Sequence, residues 1–134
     1  MGKLRHIAVT VPDLEKAAQF YEKSFGMKRL RESETGIHLT DGVMNLAILK
    51  FRDDKHAGDE RGAGFHGLHH IGFVVDSMTD AGETIEGNGG KYHMPIPSRP
   101  DSVLEMKFRD PNGVVFDVVT DEYAKKGWGA GGLD

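Results

Sequence analysis

Two histidines stand at matching places in the chain and are the first candidates for chemistry. His6 opens the segment His-Ile-Ala-Val-Thr-Val, and His70, 64 positions later, opens His-Ile-Gly-Phe-Val-Val. Taken singly, a histidine is more often a hydrogen-bonded structural residue than a ligand. The two halves of a duplicated fold, however, are related by a pseudo-twofold axis that brings equivalent positions together. The repeat therefore favours two imidazoles that converge on one site.

A carboxylate near the C-terminal end is the third candidate. Asp117 interrupts the apolar run Val-Val-Phe-Asp-Val-Val-Thr of residues 114–120. A buried carboxylate without a partner costs several kcal/mol, so it normally has a cation, a metal or hydrogen-bond donors beside it. The alternative is an edge strand on which Asp117 faces water. Because the chain has no cysteine, any metal must be held by imidazole, carboxylate or amide oxygen.

Composition excludes several classes of partner. The 134 residues suffice for one domain with its own core, and 38% hydrophobic with 28% charged residues is ordinary for a globular protein. A net charge of -4 disfavours nucleic acid and anionic membranes. No apolar run approaches the roughly 20 residues that span a bilayer, and no leader segment is visible. We expect a cytoplasmic protein with a small-molecule substrate.

The elements that must position these residues follow from the same repeat. Each copy begins with a short β-rich run, and apolar residues then recur at helical spacing. These positions are Leu14, Ala17, Tyr21 and Phe25 in the first copy, and Met78, Ala81 and Ile85 in the second. Further strands are predicted at about 28–34, 36–40 and 43–51, and again at about 91–96, 103–109 and 114–120. The sequence therefore predicts one α+β domain built from two βαβββ modules.

The module boundaries lie at about 4–51 and 68–121. The polar, glycine-rich residues 52–67 between them show no periodicity and are predicted to be a linker. Two interpretations of the linker stay open: a mobile cover over a site or, the favoured one, a solvated connection. Residues 124–134, ending Gly-Trp-Gly-Ala-Gly-Gly-Leu-Asp, are predicted to be a flexible tail.

Four segments carry a resemblance to a known family. They are His6-Ile-Ala-Val-Thr-Val-Pro-Asp-Leu, Phe20-Tyr-Glu-Lys-Ser-Phe-Gly-Met, Gly67-Leu-His-His-Ile-Gly-Phe and Phe108-Arg-Asp-Pro-Asn-Gly-Val-Val-Phe-Asp. Together they resemble the vicinal-oxygen-chelate superfamily, which includes glyoxalase I, methylmalonyl-CoA epimerase, extradiol dioxygenases and bleomycin resistance proteins. The resemblance covers almost the whole chain. It implies a glyoxalase-like fold, in which tandem βαβββ modules form a curved mixed sheet that encloses a metal site.

The resemblance also implies a ligand set. His6, His70 and Asp117 match three metal-ligand positions, although the family more often has Glu where this chain has Asp117. The fourth position falls within residues 43–51, which contain no Asp, Glu, Gln or His. Asn45 is the best alignment to it, and its neighbour Leu46 is the alternative. His38, in the predicted third strand, is a further candidate for acid/base catalysis.

The sequence leaves three hypotheses for the function. Two histidines and one carboxylate with vacant coordination positions are typical of non-haem Fe(II) oxygenases, so a dioxygenase-like activity with Fe2+ is favoured. The alternative is a glyoxalase I-like or epimerase-like lyase or isomerase with Zn2+, Ni2+, Co2+ or Mn2+. A drug-sequestering protein without metal is the alternative from another class. Both enzyme readings share bidentate chelation of vicinal oxygens of a small organic substrate, and we expect a homodimer.

Overall fold

A computed structural model of the chain describes residues 1–96, 102–129 and 132, and structural statements refer to these residues. Eight strands form one sheet. They are β1 (Lys3–Thr10), β2 (Lys28–Glu32), β3 (Gly36–Thr40), β4 (Asn45–Leu49), β5 (Gly67–Val75), β6 (Lys91–Pro95), β7 (Glu105–Arg109) and β8 (Val115–Thr120).

The helices are α1 (Leu14–Phe25), α2 (Asp54–Ala57), α3 (Met78–Gly87) and α4 (Asp121–Tyr123), and a π-helical turn (Ala124–Trp128) follows α4. All four α-helices begin at a side-chain cap, and in the two long ones Asp13 accepts a hydrogen bond from the backbone of α1 and Ser77 from that of α3. Among the described residues, none of these helices is long and apolar enough to cross a membrane.

The strand order confirms the predicted repeat. It is β2-β3-β4-β1-β5-β8-β7-β6, so each module contributes four adjacent strands and the modules join between β1 and β5. These two central strands are antiparallel, with His6 paired to Gly72 and Ala8 paired to His70. β1 is parallel to β4, and β5 is parallel to β8. The two histidines therefore lie on neighbouring strands of one chain.

Both long helices pack on the same face of the sheet. Ala18 of α1 lies against Ile37, Leu39 and Ile48. In the second module α3 packs against a cluster of three buried residues, which are Val75, Phe108 and Val118. Because successive side chains of a strand point to opposite faces, the alternate residues are left for the other face. That face holds the candidate site.

The C-terminal residues correct the prediction of a flexible tail. Ala124 and Trp128 belong to the π-helical turn and pack against Val74 and Val119, and Trp128 is only 3% exposed. Burial of one indole and its apolar neighbours offsets the entropy of ordering a glycine-rich segment. Residues 130, 131, 133 and 134 of the predicted tail lie outside the described residues.

Gly72→Ala should lower the free energy of unfolding by about 1–3 kcal/mol, measured as a lower Tm. A Cβ atom at this position would lie 2.8 Å from Cη2 of Trp128 and 3.0 Å from Cβ of His6, so the indole must move. The matched control is Gly82→Ala in α3, where the new Cβ meets Phe108 at 3.9 Å. Alanine is the better helix former by about 1 kcal/mol, so the control should be at least as stable as wild type. If the two variants had the same Tm, the placement of Trp128 against Gly72 would be contradicted.

Candidate metal centre

Three buried side chains bring their donor atoms together on the face opposite the helices. Nε2 of His6 lies 3.2 Å from Nε2 of His70, which lies 3.0 Å from Oδ2 of Asp117. The three residues are 3%, 9% and 4% exposed. They come from β1, β5 and β8, and the register places Asp117 beside Gly72, two residues beyond His70. One chain thus supplies the whole cluster.

This donor set fits a divalent metal ion. Nitrogen and oxygen ligands bind such ions at roughly 2.0–2.2 Å, and two ligands at right angles around one ion are then about 3.0 Å apart. The separations within the cluster match that spacing. Two imidazoles with one carboxylate are also a donor set that Fe, Zn, Ni, Co and Mn accept.

Asn45 fixes the orientation of the His6 ring through the nitrogen that faces away from the cluster, Nδ1. Its amide Nδ2 donates to the backbone oxygen of Trp128 at 2.7 Å and lies 3.0 Å from Nδ1 of His38. Because a carbonyl oxygen only accepts, Nδ2 must face Trp128, and Oδ1 must therefore be the atom 2.6 Å from Nδ1 of His6. His6 then donates from Nδ1 and presents the lone pair of Nε2 to the cluster, as metal-binding histidines commonly do.

His70 and Asp117 are held in the same manner. Nδ1 of His70 lies 2.7 Å from Nδ1 of His69, so one of the two carries a proton and the other accepts it. Lys107 donates to Oδ1 of Asp117 at 2.7 Å, which leaves Oδ2 facing His70. The same ammonium donates to Glu60. Each of the three candidate ligands is thus oriented by a further side chain.

Burial and neighbouring charges keep the candidate ligands in the states that a metal requires. Burial, with the charge of His70 as a second cause, lowers the pKa of His6 to about 3. Burial raises the pKa of Asp117, but His70 and Lys107 outweigh it and hold that pKa below its usual value. Conversely, burial lowers the pKa of Lys107, whereas Asp117 and Glu60 raise it above its usual value overall. At neutral pH the site therefore holds a neutral His6, a carboxylate and an ammonium.

A second set of close donor atoms overlaps the first. Glu60, His69 and His70 also bring one donor atom each within 4.8 Å of one another. In this second set, however, the Nδ1 atoms of His69 and His70 share one proton, so at most one of these two atoms offers a lone pair. The set of His6, His70 and Asp117 is the better metal site because each donor atom there faces the others.

The strand register corrects the alignment of the fourth ligand position. Asp117 pairs with the residue two places after His70. The residue two places after His6 is Ala8, and it pairs with Ala47 on β4. Ala47, and neither Asn45 nor Leu46, is therefore the structural equivalent of Asp117. The segment between β2 and β3 has three residues and the segment between β6 and β7 has nine, so the two modules cannot be overlaid without a gap.

A cavity of about 230 Å³ opens above the donor cluster. Its walls include the predicted residues His6, His38, His70 and Asp117. Four lining residues that sequence reasoning did not single out are Lys107, Trp128, Arg31 and Ala47. Alternation in the strand Glu-Met-Lys-Phe-Arg of residues 105–109 was the signal for Lys107, because it places Glu105 and Lys107 on one face.

The linker contributes to the cavity, which the interpretation as a mere solvated connection did not anticipate. His56 and Ala57 of this segment line the cavity. The Glu60 side chain is 3% exposed and pairs with Lys107. The polar composition of residues 52–67 did not predict this contact, because only the fold distinguishes the one buried acidic residue from its exposed neighbours.

Trp128 should report on metal binding. Its ring stacks on His6 with centroids 4.3 Å apart and planes at 11°, and it is the one tryptophan of the chain. Ions with unpaired d electrons quench an excited indole at such short range. Titration with Co2+ or Ni2+ should therefore remove most of the tryptophan fluorescence in proportion to occupancy, whereas Zn2+ should not. Equal quenching by Co2+ in His6→Ala would show that the ion binds elsewhere.

Comparison with known proteins is consistent with this site. Residues 3–118 match the family described as the Glyoxalase/Bleomycin resistance protein/Dioxygenase superfamily. Lactoylglutathione lyase of Escherichia coli O157:H7 is 27% identical over an alignment 140 positions long, which covers 95% of this chain and 98% of that protein. Mitochondrial methylmalonyl-CoA epimerase of Homo sapiens is 36% identical over an alignment 89 positions long, which covers 60% of this chain and 51% of that protein. These relatives are a lyase and an epimerase, which favours those alternatives over the dioxygenase reading.

Solved structures support the fold. A methylmalonyl-CoA epimerase variant of Streptomyces coelicolor in complex with 2-nitronate-propionyl-CoA gives a TM-score of 0.60 at 19% identity, covering 88% of this chain and 96% of that one. A hypothetical protein from Bacillus halodurans C-125 gives 0.64 at 18% identity, covering 89% and 94%. The predicted glyoxalase-like arrangement of two βαβββ modules is thereby confirmed.

Proposed function

Because the chain belongs to the Glyoxalase/Bleomycin resistance protein/Dioxygenase superfamily, we propose that it is a metal-dependent lyase or epimerase that moves a proton beside a carbonyl group of a small substrate. The observation that carries this proposal is the convergence of His6, His70 and Asp117 at the floor of a cavity. The likeness to a lactoylglutathione lyase and a methylmalonyl-CoA epimerase supports the reaction class.

The metal would be held by His6, His70 and Asp117, and it would polarise two adjacent oxygen atoms of the substrate as a Lewis acid. The cavity walls orient the substrate over these residues and exclude water from it. Asp117 keeps its negative charge there because Lys107 and His70 stabilise it.

His38 is the group that we assign to proton transfer. It lines the cavity, and its Nδ1 accepts a hydrogen bond from Asn45. In the neutral ring Nε2 therefore carries the proton, and His38 would deliver it to the substrate as a general acid. Asn45 is a positioning residue, since its amide holds His6 and His38 in one network. A histidine is suited to this role because its ordinary pKa lies near neutral pH.

One observation favours a second candidate function. Ala47 stands where the second carboxylate of the site would be, so the donor set is two imidazoles and one carboxylate. That set is typical of Fe(II) oxygenases. Dioxygenase chemistry is therefore the second proposal. Sequestration of a drug without metal fits less well, because it has no use for three convergent, oriented donor groups.

The experiment that tests the proposal begins with anaerobic purification and elemental analysis. Protein loaded with Ni2+, Co2+, Zn2+ or Mn2+ is then assayed for deuterium uptake from D2O into methylmalonyl-CoA and for formation of lactoylglutathione. We expect metal-dependent turnover of one of them and its loss in His38→Phe. Oxygen consumption with Fe2+ and catechols, without either proton-transfer reaction, would favour the second proposal. A protein that binds no metal would contradict both.

Dimerisation and cytoplasmic location stay predictions. Sedimentation of the purified protein tests the first, and a mass of one chain at micromolar concentration would contradict a stable homodimer. The metal site does not depend on that result, because one chain supplies all three donor groups.

A further inference from the structure

Lys107 is a buried cation in the cavity wall, and the proposed proton transfer uses it only to hold Asp117 in its charged form. It lies on β7 directly opposite Asp117 and is 3% exposed. An ammonium group in such a place costs several kcal/mol unless carboxylates compensate it. A neutral or apolar side chain would fill the same space at a lower cost in free energy. We therefore expect the lysine at this position to have a function.

Among the described residues, the contacts of Lys107 leave one N–H donor available. Nζ donates to Asp117 at 2.7 Å and to Glu60 of the linker. An ammonium group has three N–H donors, and Lys107 also lines the cavity. Two donors held by buried carboxylates fix the direction of the third. That donor is the one available to a molecule bound over the metal centre.

The pseudo-twofold symmetry places Lys107 opposite the proton-transfer group. Lys107 pairs with Asp117 across β7 and β8, and His38 pairs with Ala47 across β3 and β4. Because Ala47 is the equivalent of Asp117, His38 is the equivalent of Lys107. One wall of the cavity therefore carries a group that exchanges protons, and the other carries a fixed positive charge.

Charge balance makes this positive charge useful. Removing a proton from a carbon beside a carbonyl group places negative charge on the carbonyl oxygen, and a preorganised donor at that oxygen stabilises it. With alanine at position 47, the site has one ligating carboxylate instead of two. The Glu60 carboxylate balances the charge of the Lys107 ammonium group, so Lys107 contributes a directed N–H donor to the site without adding net charge.

We propose that Lys107 is a catalytic residue that donates a hydrogen bond to the substrate oxygen that becomes negative, with Glu60 as its positioning residue. The proposal rests on the proposed proton-transfer function. It also assigns a role to the linker, because Glu60 orients the ammonium group only when this segment lies over the cavity. Substrates with an anionic oxygen next to the chelating oxygen should be preferred over neutral ones.

The test measures how much the charge of Lys107 favours an anion, without relying on turnover. Zn2+-loaded protein is titrated with lactate and with lactamide, which have the same shape and differ in charge. In Lys107→Met the ratio of lactate to lactamide affinity should fall by about tenfold to a hundredfold, as expected for loss of a hydrogen bond to a charged group. Lys107→Arg keeps the charge and should retain most of the ratio.

Controls separate this role from a purely structural one. Lys55→Met removes the same charge from the exposed surface of α2 and should leave the ratio unchanged. If Lys107→Met does not fold, the charge-balanced double variant Lys107→Met/Glu60→Gln takes its place. An unchanged ratio in a variant that still binds Zn2+ would overturn the role of Lys107 but leave the proposed function standing. Failure of the wild-type protein to bind Zn2+ would overturn the proposed function and, with it, this role.

Discussion

His70→Ala should weaken metal binding by at least about a hundredfold. His70 is the central donor, since its Nε2 lies 3.2 Å from His6 and 3.0 Å from Asp117. Metal binding to structural zinc sites is worth roughly 10–16 kcal/mol, so the loss of one ligand of three should exceed the ~2.8 kcal/mol of a hundredfold change. Isothermal titration with Zn2+ or Ni2+ measures the effect, and the rise of Tm with added metal should disappear with it.

The matched control for this prediction is His66→Ala. His66 is an exposed linker residue, so its loss removes an imidazole without touching the cluster. The control should bind metal as tightly as the wild-type protein. A His70→Ala variant that binds metal with wild-type affinity would mean that the cluster is a hydrogen-bonded structural group.

Asn45→Ala should both destabilise the fold and weaken metal binding. The residue is fully buried, and its amide serves Nδ1 of His6, Nδ1 of His38 and the backbone oxygen of Trp128. Each buried polar group left without a partner costs about 1–3 kcal/mol, so a drop of at least 2 kcal/mol, roughly, in the free energy of unfolding is expected. Removal of the partner of a metal-binding histidine typically costs about 10–100-fold in affinity.

Two further variants sharpen this prediction. Asn45→Asp keeps an acceptor for His6 but turns a second carboxylate oxygen towards the carbonyl of Trp128, so it should also be less stable. Asn112→Ala, at an exposed turn position, should behave as wild type. If Asn45→Ala lost stability but bound metal normally, Asn45 would be a packing residue without influence on His6.

The sequence was sufficient for the two βαβββ modules and for the three donor groups that the structure brings together. His6 and His70 were visible because the repeat places them at equivalent strand positions, and Asp117 was visible because a carboxylate interrupts an apolar strand. These patterns are local. They can be recognised in a single sequence because each depends on one residue type at a fixed place in its own strand.

The remaining parts of the site depend on contacts between distant segments. The equivalence of Ala47 and Asp117 follows from pairing across β1 and β4, which no ungapped overlay reproduces. Trp128 contacts His6 through the packing of a glycine-rich segment whose composition indicates flexibility. Glu60 is one of several acids in a polar linker, and only the fold shows that it is the buried one.

Nuclear magnetic resonance of ¹⁵N-labelled imidazoles tests the central claim most directly, because it reports on each histidine nitrogen separately. On addition of one equivalent of Zn2+, the account predicts that the Nε2 signals of His6 and His70 shift together. Nδ1 of His6 should stay protonated through its hydrogen bond to Asn45. A shift at His69 with His6 unchanged would place the ion in the alternative group with Glu60, and no shift at any of these rings would contradict a metal centre in this cavity.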